Sequence, residues 1–276
     1  MLKIIFFLLF FQLLLPALSI NDTIINTKVQ SYIVTPGEQL TIKAERCLDL
    51  EKREDHYLFK TDRDAVIHCD NREIRIIVKK SKVAKEKVLH YPVGSYPKPL
   101  KKLDAYEAPL YFLSVPNAKE KRPLSKHFDA KDFLCKQPSS YPKYLVVQTS
   151  LINLLEEMLD ELYRRKIPVK NFVIMSGYRT PLYNRRIGSS KHSRHMYGDA
   201  ADIYVDDNHD GIFDDLDGDG KTTDKDTKYL ADLAEYVQNK LYIKGGIGIY
   251  KRTANHPRFL HVDTRGYKAR WGHTHF

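Results

Sequence analysis

The sequence predicts an α+β protein in two unequal parts, and three observations carry that reading. Residues 20–95 alternate apolar and polar side chains in short runs broken by turn residues, the pattern of half-buried strands. Residues 151–162 repeat leucine at helical spacing on one face. Beyond them, short apolar runs end in polar loops punctuated by glycine, as strands do when they carry side chains to a site. A length of 276 residues exceeds one average domain without requiring more than two. We divide the chain at 1–19, 20–95, 96–122 and 123–276.

Met1–Ser19 has the form of a leader. Lys3 precedes an apolar run from Ile4 to Leu15, Pro16 breaks it, and Ala17-Leu18-Ser19 makes a small-x-small cleavage site. The run is shorter than the roughly 18 apolar residues a bilayer-spanning helix needs. A cleaved signal peptide is expected, with no integral membrane segment afterwards and an exported chain, periplasmic or secreted. In an oxidising compartment, a bridge between Cys47 and Cys69 would close a loop worth about 3 kcal/mol, leaving Cys135 as a buried thiol.

The β part reads strand by strand. Lys28–Val34 leads into the turn Thr35-Pro36-Gly37-Glu38, and Gln39–Ala44 then alternates. Val66–Cys69 and Glu73–Val78 follow as further strands. Short strands separated by turns fit a small all-β domain, a sandwich of immunoglobulin-like kind, for positioning or wall binding. From Lys79 to Arg122 the composition shifts to lysine, tyrosine and proline, with Pro92, Pro97, Pro99, Pro109 and Pro116. Proline at this density disfavours helices and central strands, so 96–122 is expected to be an extended linker.

In the larger part, Leu124–Cys135 supplies a short capped opening with aromatic anchors. Leu151, Leu154, Leu155, Met158, Leu159 and Leu162 then form one apolar helix face, with Glu156, Glu157, Asp160, Glu161 and Arg164 on the others, up to Pro168. Phe172–Met175 reads as a buried strand delivering Ser176-Gly177-Tyr178-Arg179, which sets a guanidinium at the rim of a cleft where it can hold a carboxylate. Ser193-x-His195-x-x-Gly198-x-Ala200-x-Asp202 turns tightly at Gly198 into the strand Asp202–Val205. Thr227–Leu241 is an amphipathic helix and Gly245–Tyr250 a glycine-rich strand. In Phe259–Asp263, alternation puts His261 and Asp263 on one face. Two imidazoles and a carboxylate, His195, His261 and Asp202, make a three-ligand set of the kind that leaves catalytic zinc an open position. In the tail, Trp271 is expected to pack, and His273 and His275 are weaker ligand candidates.

The four stretches SGYRTPLYN, SRHMYGDAADI, GGIGIY and FLHVDTRG together resemble the zinc D-alanyl-D-alanine carboxypeptidase family, peptidase family M15, whose fold is shared with the hedgehog signalling domain. The resemblance covers roughly Leu124–Phe276. It implies a small α+β domain with an antiparallel sheet, zinc held by His195, Asp202 and His261, and hydrolysis of peptide bonds in peptidoglycan stems. It also implies that Arg179 steadies the substrate carbonyl or carboxylate and that Ser193 is the small polar residue before the first ligand. Relatives carry an acidic residue shortly before the last histidine, where this chain has His256-Pro257-Arg258. The candidates for the general base are therefore His256 and Asp263, and Asp263 is equally placed to support a ligating imidazole.

Between Asp206 and Asp226 lie nine aspartates and two lysines, so the rest of the chain is more basic than the net charge of +10. Asp206, Asn208, Asp210, Gly211, Asp214 and Asp217 match the oxygen-ligand positions of an EF-hand-like loop. Asp215, Asp217, Asp219 and Gly220 open a second loop ending near Asp226, and a structural calcium clasp is expected. The basic remainder suits an anionic wall polymer, or only solubility. Without an aromatic-basic repeat, nucleic-acid readout is not expected. A monomer acting on peptidoglycan peptide is expected, with endopeptidase and carboxypeptidase, and D,D-, L,D- and L,L-bonds, all open. The rival is a catalytically silent module that keeps zinc and calcium for stability and works by recognition.

Overall fold

The computed structural model describes residues 17–25, 27, 29–100 and 103–272. Met1–Pro16 of the expected leader, Lys28 of the first strand, and His273 and His275 lie outside the described residues. Leu18 and Ser19, also assigned to the leader, are buried, and the strand Ser19–Ile20 is paired on both sides, Ser19 with Ile24 and Lys43 and Ile20 with Thr23 and Ile42.

The alternating residues of the first part build one core from two sheets. Five strands run in the order Thr23–Ile24, Ser19–Ile20, Gln39–Lys43, His56–Lys60, Lys52–Arg53, and three in the order Val29–Val34, Arg72–Val78, Ala65–Cys69. All of these pairs are antiparallel except Val29–Val34 with Arg72–Val78. Ile74, Ile76 and Val78 enter this core, whereas Ile33 and Ile77 point into the second one. The run Ile76-Ile77-Val78 is unbroken because its strand is covered on both faces. Cys47 and Cys69 are disulfide-bonded, and Cys135 is free and buried.

The stretch expected as an extended linker is packed. Phe112, Leu113 and Val115 are fully buried in the second core, on a strand Tyr111–Val115 that pairs with Lys143–Leu145 and Ser81–Lys82. Tyr106 and the half-buried Tyr96 pack with Met196 and Tyr197 instead of facing solvent. The expectation that proline would keep a central strand out of this stretch is not met: Tyr111–Val115 fits between Pro109 and Pro116 as the middle strand of three, and the aromatics between the prolines are buried.

Helix α1 spans Thr149–Arg164. Leu151, Leu154, Leu155, Met158 and Leu162 are completely buried, each worth about 1.5–3 kcal/mol against exposure. Glu156, Glu157 and Glu161, expected on the outer faces, are buried too because partners cover them: the His127 ring and backbone N–H on Glu156, and cations on the others, Arg164 and Lys240 on Glu157, Arg164 and Arg165 on Glu161. The first part docks on this helix through backbone. Asn153 Oδ1 accepts from the Ser31 N–H at 3.1 Å and Thr149 Oγ1 from the Ile33 N–H at 2.7 Å.

Five strands form the main sheet of the larger part, in the order Val173–Ser176, Ala200–Tyr204, Phe259–Asp263, Gly246–Tyr250, Ala269–Gly272. The first three pairings are antiparallel and the last is parallel. Helix α2 is the short Pro181–Arg186, and α3 runs from Asp224 to Lys240, capped by reciprocal bonds between Thr223 and Asp226. Its Leu230, Leu233, Ala234 and Val237 join the core beside α1, so the helices lie together and leave polar side chains of the sheet for a site.

Candidate metal centre

Registry places the site. Ser176 stands opposite Asp202, Asp202 opposite His261, His261 opposite Gly248, and Gly248 beside Trp271, one row across all five strands. Residues in register project to the same face of a sheet. Gly248 is required within that row because a Cβ there would lie 2.4 Å from the Trp271 indole. The indole therefore lies across the glycine, with its ring centre 5.1 Å from that of His261.

His195 reaches the row from a 3-10 turn, Arg194–Tyr197, closed by Gly198 at φ 73°. A Cβ on Gly198 would come within 2.4 Å of the Val146 carbonyl oxygen, so conformation and space both demand glycine. His195 Nδ1 donates to the Gly177 carbonyl at 2.7 Å, which turns Nε2 towards Asp202 Oδ1 at 3.2 Å. The same oxygen meets His261 Nδ1 at 2.8 Å. One donor atom from each of the three buried residues lies within 4.8 Å of the others. Burial pushes the His195 imidazole below its usual value. Burial acts on His261 in the same sense, but its bonds to Asp202 and Asp263 outweigh it and raise the imidazole to about 9. His261 Nδ1 must lose its proton before it can serve as a donor.

Asp263 supports His261. Its Oδ2 is 3.1 Å from His261 Nε2, and its carboxylate also accepts from the Gly246 N–H at 2.8 Å, the Arg265 N–H at 3.1 Å and Arg265 Nε at 2.8 Å. Burial alone would raise this carboxyl, but the His261 and Arg265 bonds hold it far below the usual range. Arg179 sits where expected and is already engaged, with Nη2 on Asp202 Oδ2 at 2.6 Å and Nε on Ser176 Oγ at 2.8 Å.

A cleft of about 400 Å³ opens over these residues. Ser193, His192 and Arg179 line it, and an aromatic wall of Tyr250, Phe259 and Trp271 bounds it. Tyr250 and Phe259 stack at 4.4 Å, and Trp271 Nε1 donates to Tyr250 Oη at 2.9 Å. His256, expected as a possible base, is not among the lining residues. Its Nδ1 faces the Pro257 carbonyl at 2.8 Å and its ring stands edge-on to Phe259. Sequence reasoning missed Trp271, Tyr250, Phe259, Arg265 and His192 as lining residues; the period-2 spacing of Gly246, Gly248 and Tyr250 was the available signal that something lies on that face.

Behind the His195 turn, Arg194 and Asp199 form a buried pair, Nε to Oδ1 3.0 Å, with the guanidinium 4.3 Å from the Tyr106 ring centre and 4.7 Å from that of Tyr197. Burial raises Asp199 to about 6 even beside this cation.

The acidic segment gathers fewer carboxylates than its spacing promised. Asp215, Asp217 and Asp219 converge within 4.8 Å, all exposed. The others turn to backbone: Asp206 accepts from the Asp210 and Gly211 N–H groups, Asn208 from Asp210, Asp210 from Ile212 and Asp214 from Asp207. Asp226 is buried and accepts from the Leu216 and Thr223 N–H groups. Bonds from the Gly220 and Gly218 N–H groups hold the Asp215 carboxyl below its usual value.

Residues 126–217 match the family model described as Peptidase M15. No curated protein matches the chain, and no solved structure does.

Proposed function

We propose that this chain, a member of peptidase family M15 through residues 126–217, is an exported zinc hydrolase that cuts amide bonds in the D-amino-acid-containing stem peptides or cross-links of peptidoglycan. The observation that carries the proposal is the donor set: two imidazole nitrogens and a carboxylate oxygen, buried and convergent, beneath a cleft. The set contains no cysteine and fits a three-ligand zinc with an open position. Zinc supplies Lewis acidity there, polarising a carbonyl and acidifying water.

The chain's own residues do the rest. Gly177 and Asp263 fix the two rings, Arg179 balances the Asp202 charge, and the Tyr250-Phe259-Trp271 wall keeps solvent from one side of the scissile bond. Arg265 and Arg179 make the cleft suited to a peptide with carboxylates. Support for the peptidoglycan substrate and for export comes from the four motifs and the leader-like start. The test is digestion of purified sacculi by zinc-loaded wild type and His195→Ala, with mass spectrometry of the released stems. We expect zinc-dependent release by the wild type and none by the variant; no release by the wild type removes the enzyme reading.

A second reading, a silent zinc-held recognition module, is favoured by His256-Pro257-Arg258 standing in the stretch where relatives often carry an acid and by the saturation of Asp263 with hydrogen bonds. Sacculus binding without cleavage would establish it. Calcium belongs to the proposal as a clasp on residues 215–219. Added back to chelator-treated, zinc-reloaded protein, it is expected to raise Tm by a few degrees; an unchanged Tm removes it.

A further inference from the structure

The proposed hydrolysis needs a group to take a proton from water and return it to the amine, and neither expected base is suited to this. The Asp263 carboxylate is fully buried and accepts from His261, Gly246 and Arg265 at once, so no lone pair faces the cleft. His256 lies outside the lining. Among the described residues that line the cleft, the two ligating imidazoles and Asp202 are committed to the donor set, and the Tyr250 hydroxyl accepts from Trp271. His192 remains.

Its setting is that of a proton carrier. The half-buried ring lines the cleft, and Nε2 lies 3.1 Å from the Lys98 carbonyl oxygen. A carbonyl accepts only, so Nε2 carries hydrogen in both protonation states and the exchangeable proton is confined to Nδ1. Among the described residues, Nδ1 has no hydrogen-bond partner. The ring is steadied edge-on by Tyr106, centroids 5.8 Å apart, from the stretch that sequence reading made a free linker. Burial raises the Tyr106 phenol to about 12, so it presents a neutral group. The charges sharing the cleft with His192 are Arg179, Arg194, Arg265 and Asp202, besides the two ligating imidazoles.

Resting on the hydrolase reading above, we propose that His192 is the general base and then the general acid of the reaction. The water oxygen bonds to the carbonyl carbon as one of its protons passes to Nδ1, and the carbonyl π pair moves onto oxygen. That pair returns as the C–N bond breaks, and the departing amine nitrogen keeps the bonding pair and takes the proton from Nδ1. The products are an amine and a carboxylic acid that gives its proton to solvent, so atoms and charge balance without a further reactant.

The test compares full-length zinc-loaded wild type, His192→Gln and His192→Ala on a soluble D-alanyl-terminated stem pentapeptide and on sacculi, with zinc content and Tm measured for each. The expected result is a fall in kcat of about 100-fold or more in both variants. KM, zinc stoichiometry and Tm should stay at wild-type values, and the fall of kcat towards acid, where a base is protonated, should disappear. Wild-type kcat in His192→Gln overturns the proposal. So does loss of zinc or of Tm in both variants, which would make His192 a structural support. A wild type that binds zinc and cleaves nothing overturns the hydrolase reading and this role together, whereas a cleaving wild type with indifferent variants overturns only the role.

Discussion

Asp202→Asn is expected to strip the protein of zinc and to lower kcat/KM by more than 100-fold, beyond the roughly 10–100-fold lost when a supporting partner of a ligand is removed. The carboxylate has no spare valence. Oδ1 is shared by His195 Nε2 and His261 Nδ1, and Oδ2 accepts from Arg179. An amide keeps the size but offers one acceptor in place of two. With the oxygen towards the imidazoles, its NH2 confronts the Arg179 guanidinium, donor to donor; flipped, it loses the ligand atom. Either way the negative charge that balances a buried cation is gone. The measurement is zinc per chain after dialysis against a competing chelator, alongside peptide turnover. Retention of wild-type zinc by Asp202→Asn would contradict the assignment of this residue as a ligand.

Arg194→Met is expected to cost about 3–5 kcal/mol at alkaline pH, where Asp199 must ionise while buried without its cation, and about 1.4 kcal/mol of that near pH 7. Methionine preserves much of the stem that lies between Tyr106 and Tyr197, so packing alone does not account for such a loss. The sign of the pH dependence separates charge from packing. Asp199 already titrates high in the folded protein, at about 6, and without Arg194 it moves higher. A carboxyl whose folded value lies above its unfolded one costs nothing while both states are protonated. The cost grows as pH rises from the unfolded value to the folded one. The deficit of Arg194→Met should therefore be small below about pH 6, where Asp199 is protonated in both folded proteins, and grow by about 1.4 kcal/mol per pH unit above it, in urea unfolding measured in chelator so that zinc does not contribute. A deficit independent of pH would show that the variant disturbs packing and not the charge pair.

The parts of this molecule that were legible in the sequence are those decided by local period. The leucine face of α1 announced itself because burial on a helix repeats every three or four residues, and nothing in its context reversed it. Phe259–Asp263 was legible because alternation across a sheet separates Leu260 and Val262 from His261 and Asp263. The pairing of Cys47 with Cys69 was an open expectation that the structure meets. What stayed hidden depends on partners distant in the chain. Trp271 carries no period of its own, and only its registry with Gly248 and His261 brings it over the ligands. His192 stands just before a stronger motif, three residues from His195, and its tautomer is set by a carbonyl 94 residues away. The burial of Tyr106 and Phe112 was obscured by prolines that speak for the backbone and not for the side chains between them. His256 is near His261 in sequence but is not among the residues lining the cleft, and its Nδ1 faces the Pro257 carbonyl.

The Phe259–Asp263 strand has hydrogen-bonded neighbours on both edges, Ala200–Tyr204 and Gly246–Tyr250, and both come before it in the chain. Its insertion is therefore the step that joins the two halves of the sheet, over a separation of 59 residues between Asp202 and His261. Contacts of that span form late, after the entropy of closing the intervening loop has been met. Because the inserted strand also brings His261, closure of the sheet and completion of the donor set are a single kinetic event. A nascent or partly folded chain lacks the complete donor set, and an ion that binds only the closed form holds the door shut behind it, adding RT ln(1 + [L]/Kd) to the stability of that form.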